Sequence, residues 1–370
     1  MVRLQRVGSV MLTVAALLAT AVPAAADGVI TEHGPLPSIP LSGVCETHFD
    51  NNGTLWVEQY LSSQVARYDT ETGAFTEFDT PMPLSVPGGM ALGPDGGMWM
   101  PEVTGNALLR VDTSDGGMTE YKLPWLNAFD AGPLHVGLGL SNDVVPGRDG
   151  AMWFTLGGLN AIGRFDLTTH EFSQYPVPGE ILGQVQSLLG IIKSGPGNTL
   201  VMDVPQQNRV VTLDVYTHRY VSYPMPTPLS LPVGVWTDTD GTIWVTESAA
   251  MKVASINPAT GAIREFPLFG VGGLVRDVVD DLLHGSVGSP LPTPGPITQG
   301  SDGNLYFLLS FPLATGLGNR IARMNPTTHQ VTTWTTPSSL SSPCDLQADR
   351  PGSIWFGELV PNKIGELRIG

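Results

Sequence analysis

Charge is scarce in this chain, and positive charge is scarcest. Asp, Glu, Lys and Arg make up 14% of the 370 residues, with 18 basic side chains against 34 acidic ones. A formal charge of −16 disfavours nucleic acid and anionic membrane as partners, because both repel an acidic surface. Cysteine is nearly absent, at two residues, Cys45 and Cys344. No Cys-x-x-Cys, His-Glu-x-x-His, Gly-x-Ser-x-Gly or Walker loop occurs, so zinc, serine-nucleophile and nucleotide chemistry find no support. Beyond the first 26 residues no apolar run approaches the roughly 20 residues that span a bilayer.

Those first residues have the features of a secretory leader. Arg3 and Arg6 precede an apolar stretch at 10–22, broken only by Thr13 and Thr20, and Ala24, Ala25 and Ala26 supply small residues for cleavage. The expected division is a signal peptide at 1–26 and one domain at 27–370. The protein is then secreted and extracellular, with no membrane contact after leader removal. Losing two Arg takes the formal charge to −18.

Gly and Pro are abundant, at 44 and 32 residues, and they sit between short runs rich in Trp, Phe, Val and Ile. That pattern reads as short strands joined by tight turns. A phrase also recurs at about forty residues. It consists of an apolar stretch, Asp-Gly, an aromatic pair, Asn-x-Ile-Gly-Arg, then Thr-Gly with an aromatic and Pro. Asp95-Gly96 with Trp99, Asp149-Gly150 with Trp153, Asp240-Gly241 with Trp244 and Asp302-Gly303 with Tyr306 carry it most clearly, and seven copies can be counted. Asp-Gly suits the positive φ of a hairpin turn, and the Trp is large enough to fill the space between neighbouring sheets.

The seventh copy ends after its third strand, and the missing fourth is found at the other end. Val29-Ile30-Thr31-Glu32 followed by Gly34-Pro35 matches Phe75-Thr76-Glu77-Phe78 with its Pro. The expected fold is therefore all-β: a seven-bladed β-propeller of four-stranded antiparallel blades, closed by the N-terminal strand completing the last blade. Such closure hides sheet edges. Three connections exceed the template, at 125–141, 179–194 and 269–296. The last holds apolar residues at helical spacing over 273–284.

Cys45 precedes Trp56 by eleven residues, and Cys344 precedes Trp355 by eleven. They hold the same slot in the first and last blades, which adjoin in a closed ring. A disulfide is expected between them, worth about 4–5 kcal/mol on the chain-entropy model. Secretion favours the oxidised state.

At Trp244-Val245-Thr246-Glu247, Asn160-Ala161-Ile162-Gly163-Arg164 and Glu265-Phe266-Pro267-Leu268 the chain resembles the virginiamycin B lyase (streptogramin lyase) family, over about residues 29–370. The resemblance implies an enzyme that linearises a cyclic depsipeptide by elimination across its ester bond, with a divalent metal, usually Mg²⁺. It also implies a catalytic His in Pro-His-Gly/Ala-Ile at the start of a blade. Those slots here read Pro232-Val233-Gly234-Val235, Pro294-Gly295-Pro296-Ile297 and Pro343-Cys344-Asp345-Leu346, none with His. The family's acid at the end of strand two matches Glu102, Glu247 and, approximately, Glu358.

The three Glu are expected at one mouth of the channel, with Glu58 and Asp203 near the same level. There they would hold a divalent cation, Mg²⁺ or Ca²⁺, which polarises a lactone or ester carbonyl. The alternative is that each simply meets a neighbouring loop. His48, His135 and His284 are the candidate bases. His170, His218 and His329 take the place of Thr-Gly in the turn before strand four. No organic cofactor is expected, and the chain is expected to be a monomer. Two functions stand open: a metal-assisted lyase or lactone-opening enzyme acting on a small or cyclic ester, and a secreted binding or scaffold propeller without catalysis.

Overall fold

The computed structural model describes residues 28–38, 42–125, 129–131, 134–136, 141–179, 190–269, 293–309 and 318–369. The leader at 1–26, the segment 273–284 and His284 within it lie outside the described residues. No helix among the described residues is long and apolar enough to cross a membrane.

Seven four-stranded antiparallel sheets follow one another along the chain. Blade one is Val44–Phe49, Leu55–Gln59, Gln64–Tyr68 and Phe75–Asp79, and its strand order repeats in each later blade. In the last blade, Pro343–Gln347, Ser353–Glu358 and Lys363–Arg368 receive Ile30–His33 as the outer strand. Ile30 stands opposite Leu367 and His33 opposite Ile364. The ring thus closes on hydrogen bonds between the two ends of the chain. The first long connection contains a small extra hairpin, Phe129–Ala131 with Leu134–Val136.

The repeated phrase has a physical reason that recurs from blade to blade. The turn Asp is a shared acceptor. Trp99 donates its indole N–H to Asp95 (2.9 Å) and Arg110 reaches the other oxygen (2.6 Å). Trp153, Arg164 and Asp149 repeat this at 2.9 and 2.7 Å. The indole can then be buried without an unpaired N–H, and its ring fills the gap to the next blade. Trp153 packs with Ile192, Leu200 and Val211 of blade four, and Trp56 packs with Met90, Met98 and Leu109 of blade two. The Gly that follows Ile in strand three is required by close approach. A Cβ on Gly163 would lie 2.3 Å from the Phe154 ring, and one on Gly365 would lie 2.0 Å from Phe356. Asn106, Asn160, Asn208 and Asn362 hold left-handed turns between strands two and three. His170, His218 and His329 also adopt positive φ, at 58°, 57° and 59°, in the turn where other repeats use Gly. His218 and His329 then lay their rings on an aromatic of the preceding blade, Tyr175 at 4.2 Å and Phe266 at 3.9 Å, while His170 meets Tyr121 edge-on at 5.2 Å.

Candidate functional site

The first strands of adjacent blades pack against one another around the axis. Register against strand two identifies equivalent positions. The residues opposite the Trp position are His48, Ala91, Val145, Lys193, Trp236, Thr298 and Gln347. Two places earlier along strand one come Glu46, Gly89, Asp143, Ile191 and Asp345. Acids therefore stand above cations along the axis. A cavity of about 280 Å³ opens over the acid layer and takes lining residues from all seven blades, among them Glu46, Gly89, Asp143, Ile191, Val233, Pro296 and Asp345. Glu58, Tyr60, Leu359 and both cysteines complete much of the wall.

The charges interlock. Lys193 Nζ lies 3.5 Å from Glu46 Oε1 and 3.5 Å from Asp143 Oδ2. His48 places Nε2 3.5 Å from Glu46 and Nδ1 3.0 Å from Asp349. Gln347 donates to Glu46 at 3.0 Å, and Glu46 also accepts the backbone N–H of Met90. Gly89 makes room for this convergence, since a Cβ there would stand 2.4 Å from Asp143 and 2.7 Å from Glu46. Burial pushes the Glu46 carboxyl up, but Lys193 and His48 outweigh it and hold it down at about 2. Burial lowers His48, yet the carboxylates of Asp349 and Glu46 raise it to about 10. For Asp143, burial and Glu46 win over Lys193, giving about 6. Burial, with the negative charge of Glu46 behind it, raises Glu58 and Asp345 well above the carboxylate range, and burial does the same to Asp203.

The expected acid ring is arranged differently. Successive strand residues point to opposite faces. Glu58 follows Trp56 by two places and shares its face, whereas Glu102 follows Trp99 by three and takes the other. Glu102, Glu247 and Glu358 are fully buried, each beside a strand-four acid of its own blade. Burial, with Glu120 adding to it, moves Glu102 up to about 8. Burial and Glu32 do the same to Glu358, and burial with Glu265 raises Glu247. Two of those strand-four acids, Glu265 and Glu32, are held by the loop entering the blade and by a strand-three Lys. Glu265 accepts from Thr227 at 2.9 Å and from Lys252 at 2.6 Å, and Glu32 accepts from Ser338 and from Lys363 at 2.7 Å. The three Glu thus lie within three separate blades, each beside the strand-four acid of its own blade, rather than around a shared opening.

Among the described residues no three of His, Cys, Asp and Glu are placed to hold one metal ion. At the axis, where acids do converge, an ammonium already stands between Glu46 and Asp143. The residues present do not fit a divalent ion there. The carboxylates of Asp349 and Glu46 favour the charged form of His48, which suits it to a counter-ion better than to the base expected of it. His135 lies on the strand Leu134–Val136 of the extra hairpin. The residues that sequence reasoning passed over are Glu46, Asp143, Lys193 and, as a functional group, Asp345. A signal did exist: Glu46 and Asp345 each follow a cysteine in the same slot, and Lys193 occupies the slot of His48. The disulfide is formed, with Cys45 and Cys344 Cα atoms 4.8 Å apart. It lies in the cavity wall at one of the places where the resemblance implied a His.

The sequence profile of the virginiamycin B lyase family matches residues 15–180 and 139–281. Among solved structures, the chain is similar to selenomethionine-substituted virginiamycin B lyase from Staphylococcus aureus. They share 22% identity and a TM-score of 0.75, over 93% of this chain and all of that one. A streptogramin B lyase structure is similar at 23% identity and a TM-score of 0.73, over 93% and 98%. The extracellular domain of a one component system from B. thetaiotaomicron is similar at 12% identity and a TM-score of 0.59, over 89% of this chain and 42% of that one. Among curated protein sequences none matches. These structural likenesses carry the fold, and with the profile spanning most of the chain, the protein belongs to the virginiamycin B lyase family.

Proposed function

We propose that this chain acts outside the cytoplasm as a propeller that binds a small molecule in its axial cavity, without the metal-assisted elimination implied by the lyase resemblance. The observation that carries this reading is the axial cavity itself. Its wall keeps buried carboxyls around Lys193, while the three slots for a catalytic His hold Val233, Gly295 and the disulfide-bonded Cys344. A concave pocket with a few convergent polar groups of displaced pKa is the usual mark of a ligand site. An extracellular location is supported by the leader-like sequence at 1–26, by the disulfide and by the likeness to an extracellular propeller domain.

A second reading has one observation in its favour. Glu58, whose carboxyl burial pushes well above its usual range at the cavity wall, is suited to donating a proton to an ester or lactone oxygen. Incubating the mature protein with cyclic depsipeptides and lactones, and following ring opening by mass spectrometry, separates the two. The binding reading expects saturable thermal stabilisation by a cavity ligand and no opened product. A product that disappears in Glu58→Gln overturns it in favour of an enzyme.

A further inference from the structure

Acidic groups at the axis outnumber their cationic partners. Lys193 is engaged by Glu46 and Asp143, and His48 by Asp349 and Glu46. Glu58 and Asp345 are on the cavity wall, and neither forms an ion pair among the described residues. Asp345 accepts the N–H of Leu346 at 2.7 Å and a 3.5 Å contact from Gln347, and its carboxyl is also hydrogen-bonded to that of Glu46. Glu58 is 1% exposed. One of its oxygens accepts the N–H of Glu46 at 3.2 Å, and the other, Oε1, is buried with no partner. A buried polar atom without a partner is destabilising unless something occupies the space before it. The rest of the wall is apolar: Ile191, Val233, Pro296, Leu359 and the disulfide, with the Tyr60 ring beside them.

We infer that the axial cavity is a site for an organic cation, a protonated amine carried on a small apolar body. This rests on the reading of the cavity as a ligand site and names the class of ligand. The ammonium meets the Glu58 and Asp345 carboxyl groups, its body covers the apolar wall, and the Tyr60 side chain stands at the same wall. A volume of about 280 Å³ is at the small end of ligand pockets, suited to a single ring with a short amine arm. A metal ion is disfavoured, because the wall is largely apolar and Lys193 already neutralises the acids that converge. Because burial favours the protonated form of Glu58 and of Asp345, an ammonium that enters shifts them towards the ionised form and displaces a proton. The charged groups facing the pair are Glu46, Asp143 and Lys193, together with the phenol of Tyr60.

The test is calorimetric titration of the mature wild-type protein near neutral pH. Benzylammonium and phenethylammonium are compared with benzyl alcohol, benzoate and Mg²⁺, in two buffers of different ionisation enthalpy. The amines are expected to bind at least about tenfold more tightly than benzyl alcohol, as one charge-assisted contact allows, and to release close to one proton. Glu58→Gln and Asp345→Asn are each expected to weaken the amine about tenfold and leave benzyl alcohol unchanged. Proton release in the wild type decides the matter even where a variant fails to fold. Equal binding of amine and alcohol, or stronger binding of Mg²⁺, overturns the inference while the cavity remains a ligand site. Binding of no probe overturns both.

Discussion

Lys193 and Glu46 meet at the axis, Nζ to Oε1, across 3.5 Å and 147 residues of sequence. Blade four thereby supplies the counter-charge for blade one, and the pair ties the ring together through its centre as the disulfide does at its seam. Removing one partner of a buried pair typically costs about 3–5 kcal/mol, because the other is left buried and charged. Lys193→Met is expected to lose stability on that scale in urea unfolding. Lys193→Met combined with Glu46→Gln should recover a good part of it. A single variant as stable as wild type would show that the pair holds nothing.

The pH profile follows from groups displaced in opposite directions. Glu102 and Glu358 are raised from 4.5 to about 8, mainly by burial. A carboxyl kept protonated by folding contributes stability that is complete below its unfolded pKa and lost as pH rises through the folded value. Burial lowers His48, but Asp349 and Glu46 raise it to about 10, so it adds a further loss in the same alkaline direction. Glu46 runs the other way. Burial opposes its shift, Lys193 and His48 carry it down to about 2, and its contribution is lost as pH falls through that value. Stability is thus expected to be greatest near pH 4.5 and to decline from there towards pH 8–9. Glu102→Gln with Glu358→Gln should remove much of the alkaline decline, adding about 1–2 kcal/mol at pH 9 and nothing at pH 4. Urea midpoints across pH measure this, and parallel curves for variant and wild type would refute it.

Cys45 and Cys344 close a loop of 299 residues. Replacing both by Ser is expected to cost about 4–5 kcal/mol. A non-thiol reductant should likewise lower the melting temperature of the wild type but not of the double variant. Calorimetry with and without reductant reads both effects.

Gly89 admits Asp143 and Glu46 to the axis, and even a methyl group would collide with both carboxyls. Gly89→Ala is expected to destabilise the protein by about 1–3 kcal/mol and to weaken any cavity ligand. Gly96→Ala serves as a comparison: its added methyl meets nothing, so only the strain of its positive φ remains. Equal ligand binding by the wild type and Gly89→Ala would detach the cavity from this approach.

Seven repeats, their four strands, the N-terminal strand in the last blade and the Cys45–Cys344 bridge could be read from the chain alone. Each depends on local periodicity, turn chemistry or equivalence of slots, and a closed ring makes slot neighbours into spatial neighbours. The His at the strand-four turns were legible for the same reason, since a turn slot demands positive φ whichever residue fills it. The axial site was not. Its groups come from blades one, three, four and seven, and whether an acid faces the axis depends on a single-residue offset along a strand. Glu58 and Glu102 look interchangeable beside their tryptophans, yet they stand on opposite faces. Lys193 gains its meaning only from Glu46 and Asp143, which no local pattern brings near. Sequence by itself determined the architecture, because strands and turns obey short-range rules. Only the tertiary structure decided which charges converge, because their pairing and burial are properties of the closed ring.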